Sequence, residues 1–127
     1  MKGAFVVSSE DALYSQIERI LVARGGQAGE DVVQVVDEHG PRFTVFGGLG
    51  AAFEADLTAE PTGLRGDGPL PSVPTAASSC WAECRSEEVF VRWVRVIADA
   101  RTGPTWVLDG DGILWSSAAL DPAGVRL

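Results

Sequence analysis

The chain has 127 residues and a mass of 13.4 kDa, with 46% apolar and 22% charged residues. That length and apolar share fit a single domain, residues 1–127, with one real core, and exclude a chain that is disordered throughout. Eighteen acids against ten bases give a net charge of −8, which disfavours nucleic acid and anionic membrane surfaces as partners, since both would repel the chain.

No apolar run is long enough to span a bilayer. The first ten residues hold one lysine and a short apolar stretch broken by acids, which does not read as a signal peptide, so the expected location is the cytoplasm. The charge is uneven: residues 1–60 carry ten acids and four bases, and residues 61–127 carry eight and six.

Ala4–Ser8 reads as a strand. Ser8 or Ser9 is expected to cap a following helix, with Glu10 and Asp11 in the first turn, where the helix dipole favours acids. Leu13, Ile17, Ile20 and Leu21 recur at helical spacing, and Gly25-Gly26 ends the pattern. Val32–Val36 and Arg42–Phe46 then read as a hairpin around the turn residues Asp37–Pro41. In Ala52–Leu57 the alternation of Phe53, Ala55 and Leu57 with Glu54 and Asp56 predicts an extra strand with one wet face, closing a first unit over 1–57. Residues 58–79 hold four prolines and three glycines and are expected to form a long irregular loop.

The opening pattern then returns over 80–127. Cys80–Cys84 reads as a strand, Ser86 as a cap, and Glu87-Glu88 as first-turn acids. Phe90, Val94 and Ile97 match Leu13, Ile17 and Ile20 at an offset of 77. Thr105–Leu108 and Ile113–Trp115 flank a turn in which Asp109 and Gly112 match Asp37 and Gly40 at an offset of 72. The five-residue difference falls between helix and strand, where length varies most freely. Two βαββ units of this kind predict an α+β fold: one mostly antiparallel sheet with two helices on one face, the other face partly open, and an approximate two-fold between the units.

The second helix is apolar over most of its circumference, which predicts burial on two sides. Its cover is either the rest of this chain or a second chain, and Val89, Trp93 and Val96 are the candidate apolar interface. Trp106 and Trp115 flank the second hairpin and are candidates for a cross-strand pair.

The motifs that could carry chemistry are few. Cys80 and Cys84 are four apart; on an extended strand their sulfurs lie about 13 Å from each other, too far for a disulfide, so two buried thiols are expected. The segment Trp106–Trp115 resembles the first motif of haloacid-dehalogenase-type phosphatases, an apolar strand ending in Asp-x-Asp-Gly. That resemblance would make Asp109 the nucleophile and Asp111 the acid and base. In that family, however, the motif opens a doubly wound domain, whereas here it comes late. As a calcium loop the same stretch fails, because Ile113 and Leu114 stand where an oxygen ligand and a glycine are needed. A hairpin turn accounts for it. His39, the only histidine, lies beside Asp37 and is the one candidate general base.

No catalytic residue, metal site or cofactor is expected from these motifs. The expectation is a non-enzymatic, acidic binding domain, monomeric or homodimeric, whose partner is a basic protein. An immunity protein that caps a bacterial toxin is its most concrete form, with Glu10, Asp11, Glu18, Glu30, Asp31, Asp37, Glu38, Glu54 and Asp56 as the contact acids. A secretion-type chaperone or dimeric module built on the second helix is one alternative. A small-molecule sensor or enzyme using the open sheet face is the other.

Overall fold

In the computed structural model, residues 2–50, 53–71 and 74–127 are described, with Glu54 described in its backbone only. The elements in chain order are β1 (Gly3–Val7), α1 (Leu13–Val22), β2 (Gln27–Gly29), β3 (Val32–Val36), β4 (Arg42–Phe46), α2 (Glu54–Thr58), β5 (Gly63–Arg65), β6 (Ser79–Glu83), α3 (Glu87–Ala100), β7 (Trp106–Leu108) and β8 (Ile113–Ser116). The strands form one sheet in the order β2-β3-β4-β6-β1-β7-β8-β5. Among the described residues every pairing is antiparallel except β5 with β8. The fold is therefore α+β, with the opening strands of the two units, β1 and β6, side by side at its centre.

Strand alternation sorts the side chains into two layers. Ala4 and Val6, Val33 and Val35, Phe43 and Val45, Cys80 and Ala82, Val107 and Trp115 point to one face. There they meet Leu13, Ile17 and Leu21 of α1 and Val89, Phe90, Val94 and Ile97 of α3. α1 lies against β2, β3 and β6, and α3 packs on β4 and on α1. The opposite face carries a smaller cluster of Phe5, Val7, Trp106, Leu108 and Leu114, covered by Leu49, Phe53 and Leu57. The rest of that face is open along Gln34, Arg42, Thr44, Phe46 and Glu83.

Three expectations about local structure are corrected. Ser8 and Ser9 do not cap α1: the Ser8 hydroxyl accepts from the Glu10 N–H (3.2 Å), residues 9–12 turn, and the helix starts only at Leu13, with Glu10 and Asp11 outside it. Ala52–Leu57 is not a strand. Ala52 lies outside the described residues, and Glu54–Thr58 is helical because Phe53 and Leu57, four apart, fall on one helical face and both reach the second cluster. The loop over 58–79 contains β5, which pairs alongside β8.

Other features match. Gly25 (φ 90°) ends α1, with the Gly26 N–H on the Leu21 carbonyl and the Gly25 N–H on that of Val22. The Ser86 hydroxyl caps α3 by accepting from the Val89 N–H at 3.3 Å. Cys80 and Cys84 are both buried and free.

Part of the second side of α3 is covered by this chain, while Val96 stays half-exposed. Leu120 and Val125 of the C-terminal segment are 1% and 4% exposed and belong to the same core cluster as Val89, Val91 and Val94. Arg95 donates to the Leu120 carbonyl at 2.7 Å. Val89 is buried, and half-buried Trp93 stacks on Phe43 at 6.3 Å.

Trp106 and Trp115 do not pair across strands. The register sets Trp106 against Ser116 and Trp115 against Val107, so the two indoles lie on opposite faces.

Candidate functional site

The two hairpin turns are built alike. In the first, the Asp37 N–H bonds the Pro41 carbonyl and the Gly40 N–H bonds the Asp37 carbonyl. In the second, Asp109 bonds Ile113 and Gly112 bonds Asp109 in the same way. Gly40 (φ 101°) and Gly112 (φ 78°) supply the left-handed residue that such a turn needs.

Each aspartate then turns inward. Asp109 is 6% exposed; its Oδ1 accepts from the N–H groups of Asp111 (2.9 Å) and Ile113 (3.0 Å), and its Oδ2 from the Trp115 indole (2.9 Å) and the Arg126 N–H (3.3 Å). A carboxylate holding four donors has no lone pair left to attack phosphorus, so the Asp-x-Asp-Gly segment is structural.

Asp37, also 6% exposed, accepts from the His39 N–H (3.1 Å), from Arg92 (2.7 Å) and from the Trp93 indole (3.2 Å). Burial alone would raise its pKa, but the His39 N–H, Arg92 and Trp93 outweigh it and hold the carboxyl below 3.8. His39 uses only its backbone N–H on Asp37; its exposed imidazole lies 3.5 Å from Glu38. The pair is therefore not arranged as base and orienting carboxylate. Burial pushes the thiol of Cys80 up to about 12 and raises that of Cys84 as well. Among the described residues, no group of His, Cys, Asp and Glu is placed to hold a metal ion, and no helix is long and apolar enough to cross a membrane.

The candidate contact acids do not form one patch. Because β2 runs parallel to β1, the Glu30-Asp31 turn after β2 and the Glu10-Asp11 turn after β1 lie at the same end of the sheet. α1 starts from that end. There the Asp31 carbonyl accepts from the Gly47 N–H, and burial, followed by the Glu18 and Asp31 carboxylates, raises the pKa of Tyr14. Four of the nine acids thus stand at one end of the sheet, in two turns separated by β3, β4 and β6, and Glu18 lies with Asp31 near Tyr14. Asp37 and Glu38 sit at the opposite end, and Asp56 lies on the face covered by α2. The side chain of Glu54 is outside the described residues. Among the described residues no ion pair engages Glu10, Asp11, Glu30 or Asp31.

A cavity on the second face of the sheet draws its walls from separated segments. It holds about 350 Å³ between α2 and the sheet and is lined by Phe5, Trp81, Leu108, Asp56, Glu60 and Asp109, among others. Phe5 and Trp81 meet edge to face at 4.9 Å, and Phe53 of the α2 segment leans on Phe5 at 5.8 Å. Gly3 makes this possible, since a Cβ there would come within 2.6 Å of the Trp81 ring. The partnership of Trp81 with Phe5 is not legible in the sequence, since the two residues come from separate strands.

Comparison with protein-family models, with curated proteins and with solved structures found no match to this chain.

Proposed function

We propose that the chain is a non-enzymatic binding domain that captures a basic protein, in the manner of an immunity protein capping a toxin. The supporting observation is the grouping of Glu10, Asp11, Glu30 and Asp31, all exposed, at one end of the sheet, with none of them in an ion pair among the described residues. Exposed carboxylates at one end of the sheet attract a basic partner and speed its approach, with Glu10 partly offset by the nearby Arg101. Asp37, Asp109 and both cysteines are committed to the interior, and the exposed His39 imidazole lies beside Glu38 rather than Asp37, which supports the same reading. Glu18 flanks this surface, and Asp37 is removed from the contact set by its burial.

The test is capture of partners by the tagged protein at low and at high salt, followed by association kinetics with the purified partner. One basic protein is expected, and reversing Glu10, Asp11, Glu30 and Asp31 to lysine should slow association by roughly tenfold or more at low ionic strength. An unchanged rate, or recovery of the chain with itself alone at both salts, would overturn the reading.

A further inference from the structure

The cavity between α2 and the sheet lies at the end of β1 opposite the exposed acid group, and it has its own chemistry. Its lining includes three carboxylates, Asp56, Glu60 and Asp109, and two aromatic side chains, Phe5 and Trp81, and among the described residues no base. Asp109 is saturated by its four donors, so it contributes negative potential and no free acceptor. Asp56 and Glu60 are exposed, stand at the rim and make no ion pair among the described residues.

A neutral apolar ligand would gain from the two rings but would have to sit beside this charge. An anion would be repelled. An organic cation gains from both, because an aromatic ring attracts positive charge to its face and a carboxylate can hold the N–H groups. The volume suits a group the size of a guanidinium or alkylammonium with its methylene stem, at the lower end of small-ligand pockets.

We propose that this cavity binds an organic cation, a guanidinium or alkylammonium group seated against Phe5 and Trp81 and held by Asp56 and Glu60. Such a group is found on an arginine or lysine side chain of a protein and on free organic amines, and the site reads the same chemistry in either. Because the cavity and the exposed acids of the two turns occupy opposite ends of the sheet, this assignment stands whether or not the chain captures a basic toxin there.

The experiment is an amide and indole NMR titration of the full chain with four probes: N-acetyl-arginine amide, N-acetyl-lysine amide, tetramethylammonium, and the uncharged isostere N-acetyl-citrulline amide. Saturable shifts confined to Gly3, the Trp81 indole and Gly110, complete by about 10 mM, are expected for at least one cation and not for citrulline. Shifts with the capped residues point to a protein side chain as the source; shifts with tetramethylammonium alone point to a free amine. In the double variant Asp56→Asn, Glu60→Gln the apparent Kd should rise about fivefold or more, with the remaining spectrum unchanged because both side chains are exposed. Equal shifts with citrulline, no saturable shift with any cation, or an unaltered Kd in the double variant would overturn the proposal.

Discussion

At the scale of single residues, two aspartates carry more of this fold than their turn positions imply. Asp109 holds four donors in a nearly dry site, so Asp109→Ala would orphan the Trp115 indole and the N–H groups of Asp111, Ile113 and Arg126. Buried unsatisfied donors make that costly, and a loss of about 2–4 kcal/mol is expected in urea unfolding. Asp109→Asn should be destabilising too, since its NH₂ group would face N–H donors; a variant as stable as the parent would mean that the carboxylate is not structural.

Asp37 gives a signed pH dependence. Its folded pKa lies below its ordinary 3.8, so its stabilisation is complete above that value and is lost as pH falls through the folded pKa. Glu87, held low chiefly by Lys2 at 2.6 Å, loses its contribution in the same acid range. The measurement that isolates Asp37 is therefore a difference. The stability gap between the parent and Asp37→Asn should be full at neutral pH and shrink below 3.8. A gap that is constant with pH would remove the carboxylate charge from the account.

At the scale of elements, the turns were legible and the short helix was not. Spacing alone matched Asp37 and Gly40 to Asp109 and Gly112, and both turns close with the same backbone bonds. Beyond that match, each aspartate accepts from an indole N–H, Trp93 for the first and Trp115 for the second. No sequence spacing announces this, because Trp93 comes from α3 and Trp115 from the hairpin's own return strand. The two glycines differ in a way that can be measured. A Cβ at Gly40 would meet nothing within 4 Å, whereas one at Gly112 would lie 3.1 Å from the Thr62 hydroxyl. Gly40→Ala should cost only the backbone strain of a positive φ, about 1 kcal/mol, and Gly112→Ala should cost more, because it also presses on Thr62 where that hydroxyl donates to the Asp111 carbonyl. Paired urea melts decide it; equal losses would show that Thr62 yields freely. α2 was misread because Phe53, Ala55 and Leu57 satisfy a two-residue period as well as a helical one over so short a stretch. Ala55 and the lack of β-branched residues before Thr58 settle the competition toward helix.

At the scale of the whole molecule, the repeat is real in its parts and broken in its arrangement. The five residues by which the first unit exceeds the second hold β2 and its turn, and that added strand reverses the direction of the hairpin that follows. The first hairpin consequently docks on β6 through its second strand, β4, while the second docks on β1 through its first strand, β7, and no two-fold relates them. A length difference that looked silent thus sets the strand order. Through it, Glu30 and Asp31 arrive at the same end of the sheet as Glu10 and Asp11, so the acids were visible in the sequence but their grouping was not.

The same incompleteness of the repeat explains the cover on α3, for which the first unit has no counterpart. Residues 117–127 lie over the β7–β8 side of the helix layer. They bring Leu120 and Val125 into the core, and the Gly110 N–H bonds the Arg126 carbonyl at 2.6 Å. If this segment substitutes for a partner chain, removing it should expose the apolar back of α3. Deletion of residues 119–127 is expected to lower stability by several kcal/mol, since a buried leucine alone contributes about 2–5 kcal/mol, and to turn the protein into a concentration-dependent oligomer. Urea unfolding and size-exclusion chromatography at several concentrations measure the two effects separately. A destabilised but strictly monomeric product would mean that the back of α3 is sealed by its flanking arginines, Arg92 and Arg95, rather than by the tail.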